Sequence, residues 1–171
     1  MKVDVFCVGA QKSGTTSVHE LLSKHPRVCL PEGKETHYFS WNHSVMSLIE
    51  YQNSFNVPDG SVSTNSVNME VDPEYLYDPK SAERIYQFNP DAKIIVILRN
   101  PVDRAYSHYL MTRRRGLEPL DFVSALKAEE ERILRDNESN MHFSYLSRGR
   151  YAEQLRRYLA LFPSSSVLIL P

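Results

Sequence analysis

Two cysteines, Cys7 and Cys29, are all that the 171 residues contain. Both sit in apolar runs, and two thiols so placed make neither a disulfide framework nor a cysteine metal centre. Long hydrophobic runs are missing as well. No stretch approaches the roughly 20 apolar residues of a membrane span. The opening residues Met1-Lys2-Val3-Asp4 lead into a short apolar segment with an acidic residue in it, unlike a signal peptide. A cytoplasmic chain without a membrane span is therefore expected. An excess of one charge is also absent: 20 Lys and Arg stand against 21 Asp and Glu, a formal net charge of -1. No global field draws this chain to nucleic acid, so no nucleic-acid partner is expected and any anion site has to be local. With 42% hydrophobic and 24% charged residues the composition is that of a globular chain, not a disordered one. The length suits one domain over residues 1–171.

What is present is an alternation of strands and helices. Val3 to Gly9, the almost continuously aliphatic Lys93 to Leu98, and Ser166 to Leu170 read as strands, the second as one covered on both faces. Arg27 to Leu30 is a minor strand candidate and Asn68 to Val71 a weak one. Helical spacing runs from Thr15 to Lys24, with Val18, Leu21 and Leu22 on one face, from Lys80 to Phe88, and from Leu120 to Arg135. Arg150 to Phe162 carries an apolar stripe of Tyr151, Leu155, Tyr158, Leu159 and Phe162. Ser40 to Asn68 reads as part helix, part loop. The pattern predicts an α/β, P-loop-like three-layer fold with a central, mostly parallel sheet flanked by helices.

Gly9-Ala10-Gln11-Lys12-Ser13-Gly14-Thr15-Thr16-Ser17 follows a strand and opens a helix. Glycines there let the backbone approach an anion, and a helix N-terminus adds partial positive charge. The spacing is close to the nucleotide-binding P-loop, but Thr15 stands where a kinase needs its lysine, and Lys12 lies inside the loop. A P-loop kinase, and a plain strand–helix turn that contains glycine, are the alternatives. The long strand ends in Arg99-Asn100-Pro101-Val102-Asp103-Arg104-Ala105-Tyr106-Ser107. Asn100 is suited to cap a helix, Pro101 to its first position and Asp103 to its first turn. Arg99 thus lies at the carboxyl end of a strand, with Ser107 about two turns into the helix, and an arginine fork with a hydroxyl suits a phosphate monoester. Arg104 is assigned a structural ion pair. Arg113-Arg114-Arg115-Gly116 reads as a helix C-terminus.

These two motifs resemble those of sulfotransferases that use 3′-phosphoadenosine 5′-phosphosulfate (PAPS). The resemblance is to the heparan-sulfate-type and bacterial branch, and it spans the whole chain. It implies that Lys12, Ser13, Gly14, Thr15, Thr16 and Ser17 hold the 5′-phosphosulfate and that Arg99 and Ser107 hold the 3′-phosphate. Pro31-Glu32-Gly33-Lys34-Glu35-Thr36-His37-Tyr38-Phe39 is similar to the family's Glu-x-His-Phe-Phe segment, which makes Glu35 the catalytic base, with His37 competing for that role and Lys34 touching cofactor or acceptor. Either group can take the proton of a hydroxyl that attacks sulfur. Lys12 would neutralise charge on the bridging oxygen, and 3′-phosphoadenosine 5′-phosphate would be the product. No metal is expected, because a sulfuryl group carries less charge than a phosphoryl group and the strand ends in Arg99-Asn100, not in an aspartate. Glu70-Val71-Asp72-Pro73-Glu74-Tyr75 is similar to a segment that often reads Glu-Lys-Ser/Thr-Pro-x-Tyr; Val71 in the lysine position counts against a highly anionic sugar polymer. The resemblance thus implies sulfuryl transfer to a hydroxyl of a carbohydrate or a small natural product. A non-catalytic nucleotide-binding relative is the remaining alternative, and the oligomeric state is left open. In the family the chain continues past a strand like Val167 to Leu170, so a C-terminal portion of the domain, and part of the cofactor site, are expected to be missing.

Overall fold

The computed structural model describes residues 2–55 and 66–171, so residues 56–65 of the stretch read as part helix, part loop lie outside the described residues. The chain divides into two compact units, Met1–Leu98 with Glu153–Pro171, and Arg99–Ala152. The first unit holds a five-stranded sheet: β1 (Val5–Gly9), β2 (Val28–Cys29), β3 (Val67–Val71), β4 (Lys93–Ile97) and β5 (Val167–Leu170), in the order β2-β3-β1-β4-β5. Every pairing is parallel. The weak candidate is therefore a central strand, lying between β2 and β1.

Alternation along β1 and β3 builds a layer on each face of this sheet. Cys7, Met69 and Val71 point to one side, where Leu22, Leu30 and Ile97 cover them. Phe6 points to the other, edge-on to Phe39 at 5.4 Å and to Phe88 at 6.4 Å. Burial pushes the Cys7 thiol up to about 11, so it packs as a small apolar group and not as a nucleophile. The helices of this unit are α1 (Thr15–Leu22), α2 (Leu48–Asn53), α3 (Glu74–Tyr77) and α4 (Ser81–Phe88). On α1 the expected face is only partly right: Thr15 is buried, whereas Leu21 is 71% exposed. The helix packs on its Leu22 side, which leaves Leu21 pointing away.

β1 has β3 on one side and β4 on the other, so the strand order reverses at its carboxyl end, where open parallel sheets bind their ligands. The second unit holds α5 (Pro101–Arg114), α6 (Phe122–Ile133) and α7 (Asn137–Phe143), packed round Ala105, Tyr109, Ala125 and Tyr145. Asn100 caps α5 by accepting from the Val102 N–H, and Gly116 follows its last turn at φ 74°, both as the sequence indicates. Arg104 is fully buried and donates to the Tyr145 carbonyl. The last helix, α8 (Tyr151–Leu161), enters the first unit at Glu153; of its expected stripe Tyr158 is buried and Leu159 is 45% exposed.

Gly9 ends β1 where α3 passes close by. A Cβ there would come within 2.7 Å of Leu76 Cβ and 3.3 Å of the Pro73 carbonyl, so backbone, not only a side chain, has to move. Gly9→Ala is expected to lower folding stability by about 1–3 kcal/mol, measured as an earlier urea midpoint; an unchanged midpoint would show that α3 yields freely.

Candidate active site

The loop after β1 turns sharply. Lys12 (φ 68°) and Gly14 (φ 94°) are left-handed, with Ser13 between them at negative φ. Such alternation turns successive N–H groups to one side of the chain, the geometry of an anion nest. A Cβ at Gly14 would meet nothing within 4 Å, so glycine is needed there for its backbone conformation and not for space. α1 starts at Thr15 with no side-chain cap on its first N–H groups. Among the described residues, Ser13 Oγ and Gln11 Oε1 are buried atoms without a hydrogen-bond partner. Orphaned polar atoms, a lysine and an uncapped helix start together suit an anionic group such as the 5′-phosphosulfate. Thr15 is buried, while Thr16 and Ser17 are exposed on the first turn.

The segment from Pro31 to Phe39 is held by groups that leave the end of β3. Glu70, wholly buried, accepts from Thr36 Oγ1 at 2.5 Å, from Tyr51 Oη at 2.7 Å and from Tyr75 Oη at 2.8 Å. Asp72, also buried, accepts from the His37 backbone N–H at 2.8 Å and, through its other oxygen, from the Glu74 N–H at 3.0 Å. Its Oδ2 stands 3.0 Å from His37 Nδ1, an ion-pair distance at which the ring N–H is bent away from a straight hydrogen bond. Beyond the ring, His37 Nε2 lies 3.8 Å from Glu35 Oε2, and Lys34 Nζ donates to Glu35 Oε1. Burial works against a charged His37 ring, but Asp72, with Glu35 and Glu74, outweighs it and raises the imidazole above its ordinary value.

Lys34 and Glu35 also act on α1. Burial lowers His19, and Lys34 lowers it further, against an opposing effect of Glu20 and Glu35. The candidate base and the helix that opens the anion loop therefore lie within electrostatic reach of each other. Arg99 and Ser107 belong to the second unit, Arg99 exposed and Ser107 half-buried on α5, and the Arg99 carbonyl accepts from Tyr151 Oη at 3.0 Å. Glu35, His37 and Asp72 offer ligand atoms within 4.8 Å of one another, close enough to hold a metal ion. Glu35 Oε1 and Asp72 Oδ2, however, already accept from the Lys34 ammonium and the His37 backbone N–H. Glu70, Asp72 and His19 were missed as functional residues. Thr36 and Tyr51, which meet Glu70, His37, which meets Asp72, and Lys34, which acts on His19, all lie 15 or more positions away along the chain, and only the segment resemblance at Glu70 to Tyr75 pointed toward Glu70 and Asp72.

The Sulfotransferase domain family matches residues 2–171. The chain is 32% identical over 174 residues to mouse bifunctional heparan sulfate N-deacetylase/N-sulfotransferase 2, covering 95% of this chain and 19% of that protein. To human heparan sulfate glucosamine 3-O-sulfotransferase 6 it is 30% identical over 183 residues, covering 94% of this chain and 44% of that protein. It thus spans less than half the length of these curated relatives. A crystal structure of a sulfotransferase from Alicyclobacillus acidocaldarius superposes with a TM-score of 0.84 at 35% identity, covering 99% of this chain and 73% of that one.

The Glu70 network also sets a pH dependence. Burial, and then the Asp72 charge, push the Glu70 carboxyl up to about 7 from 4.5, against the three hydroxyl hydrogen bonds. Between those values the folded chain holds a proton that the unfolded chain has released, so stability falls as pH rises through the window. Asp72 and His37, both raised, add slope of the same sign. Urea unfolding from pH 4.5 to 7 is expected to show a decline, of which Glu70 contributes on the order of 3 kcal/mol. Glu70→Gln should flatten that decline; an equally steep one in the variant would mean that Glu70 titrates normally.

Proposed function

The chain belongs to the sulfotransferase domain family, and from that premise we propose that it transfers a sulfuryl group from PAPS to a hydroxyl of a carbohydrate or small natural-product acceptor. The observation that carries this reading is the left-handed turn at Lys12 and Gly14, where Ser13 Oγ and Gln11 Oε1 are buried without a hydrogen-bond partner among the described residues at the uncapped start of α1. That loop suits an anion, and the Glu35 carboxylate suits a proton. When bound, PAPS supplies the sulfuryl group and a phosphate that leaves. The acceptor hydroxyl gives its proton to Glu35 as its oxygen bonds sulfur, and Lys12 meets the charge released on the departing oxygen. His37, beside Glu35, is the second group able to take that proton. Ser13, Gly14, Thr15, Thr16 and Ser17 would hold the 5′-phosphosulfate, and the motif assigns the 3′-phosphate to Arg99 and Ser107.

The curated relatives are named for heparan sulfate, a polyanion. Val71 stands in the position the family's lysine pattern would fill, and it is wholly buried beside Cys7 and Met69. No cation meets an acceptor from that position, which supports a neutral or weakly charged acceptor. The test is calorimetry with 3′-phosphoadenosine 5′-phosphate against ATP with magnesium, followed by transfer from labelled PAPS to a panel of hydroxyl acceptors. Binding of the 3′-phosphorylated nucleotide is expected; tight ATP binding without it would sink the reading in favour of a kinase. Glu35→Gln should slow transfer by about 10²–10⁴-fold while leaving nucleotide affinity within a few-fold. A fully active variant would move the role of base to His37.

A further inference from the structure

We propose that Asp72 is a positioning residue of this reaction, acting through His37 to fix the ring so that Nε2 faces Glu35. The proposal rests on the sulfotransferase reading above, and it concerns a residue for which the similar segment more often has Ser or Thr. Asp72 is wholly buried one residue past β3, where a carboxylate is costly unless it is matched by donors and by charge. It holds His37 twice, at the backbone N–H (2.8 Å) and at Nδ1 (3.0 Å). The backbone it holds is left-handed, φ 54°, a conformation that a residue other than glycine keeps only when its surroundings enforce it. Trp41 stacks on the imidazole with ring centroids 4.7 Å apart and planes 28° from parallel. The ring is thus set by a carboxylate at Nδ1 and by an indole on its face, which leaves Nε2 toward Glu35 at 3.8 Å.

A hydroxyl in place of Asp72 could accept from the Glu74 N–H, as Ser does at helix starts, but it would leave Nδ1 without a charge partner. The tautomer and the charge of the ring therefore depend on Asp72 in this chain. The other charged groups facing the ring are Glu74 beside it and Glu35 on the loop itself, the latter carrying Lys34. In the transfer step the acceptor O–H bond and the sulfur–oxygen bond to phosphate break, a sulfur–oxygen bond to the acceptor forms, and the proton passes to Glu35 Oε2 or His37 Nε2. A ring fixed by Asp72 keeps both destinations on one side of the loop.

The test compares the wild type with Asp72→Ser, His37→Ala and the double variant. In Asp72→Ser, the His37 ring is expected to titrate about one pH unit or more lower by NMR, since a carboxylate partner is lost. Its kcat for sulfuryl transfer should fall about 10²-fold with the KM for PAPS nearly unchanged. The double variant should be no slower than His37→Ala alone, because Asp72 acts through the ring. An unchanged His37 titration, or losses that multiply in the double variant, would overturn the proposal. If Asp72→Ser fails to fold, the near-isosteric Asp72→Asn is read the same way. If the wild type transfers to no acceptor, the functional reading fails, and the His37 titration still decides the positioning.

Discussion

Two carboxylates buried two residues apart at the end of β3 govern the rest of the candidate site. Glu70 and Asp72 point to the same face because alternate residues of a strand do, and both are removed from water. Like charges this close, in a poorly screened setting, cost several kcal/mol unless donors and protons compensate. Here the compensation comes from the loop and from two helices: Thr36 and His37 from the loop, Tyr51 from α2 and Tyr75 from α3. The loop is thereby committed to one path, since letting go of β3 would strand both carboxylates. Ser81 Oγ and Arg84 Nη1 fasten the following turn by donating to the Phe39 carbonyl.

The same alternation sets the surroundings of Val71. Val71, between the two acids, points to the opposite face, among Cys7, Met69 and the aliphatic side chains covering the sheet. In this register a long cation there has to leave the apolar layer to reach solvent. The strand thus divides its work by face: acids to the loop, apolar groups to the core.

That division also decides what could be read from the sequence. β1, the glycine loop, β4 and the capped start of α5 follow from local rules, because each needs only neighbours a few residues away. β3 looked weak because polar Asn68 and Glu70 interrupt its apolar pattern, yet those residues are satisfied by distant parts of the fold. The Thr36–Glu70 and His37–Asp72 contacts span 34 and 35 residues, beyond any periodicity. α7 left no apolar signal, and none of its residues is buried. Leu21 shows the opposite error: helical spacing marked a face, while packing used its neighbour.

An anionic donor beside a carboxylate base sets an electrostatic conflict, since each repels the other where water is thinned. The loop contains its own remedy. Lys34 sits on one oxygen of Glu35, and His37, raised by Asp72, offers a ring that charges readily beside the other. Glu35 therefore stands between two cationic or potentially cationic groups, so an arriving anion meets a loop whose negative charge is largely offset. Lys12 adds a further cation in the loop after β1. On the sulfotransferase reading this balance lets the Glu35 carboxylate meet the acceptor proton without driving away the group it helps to transfer.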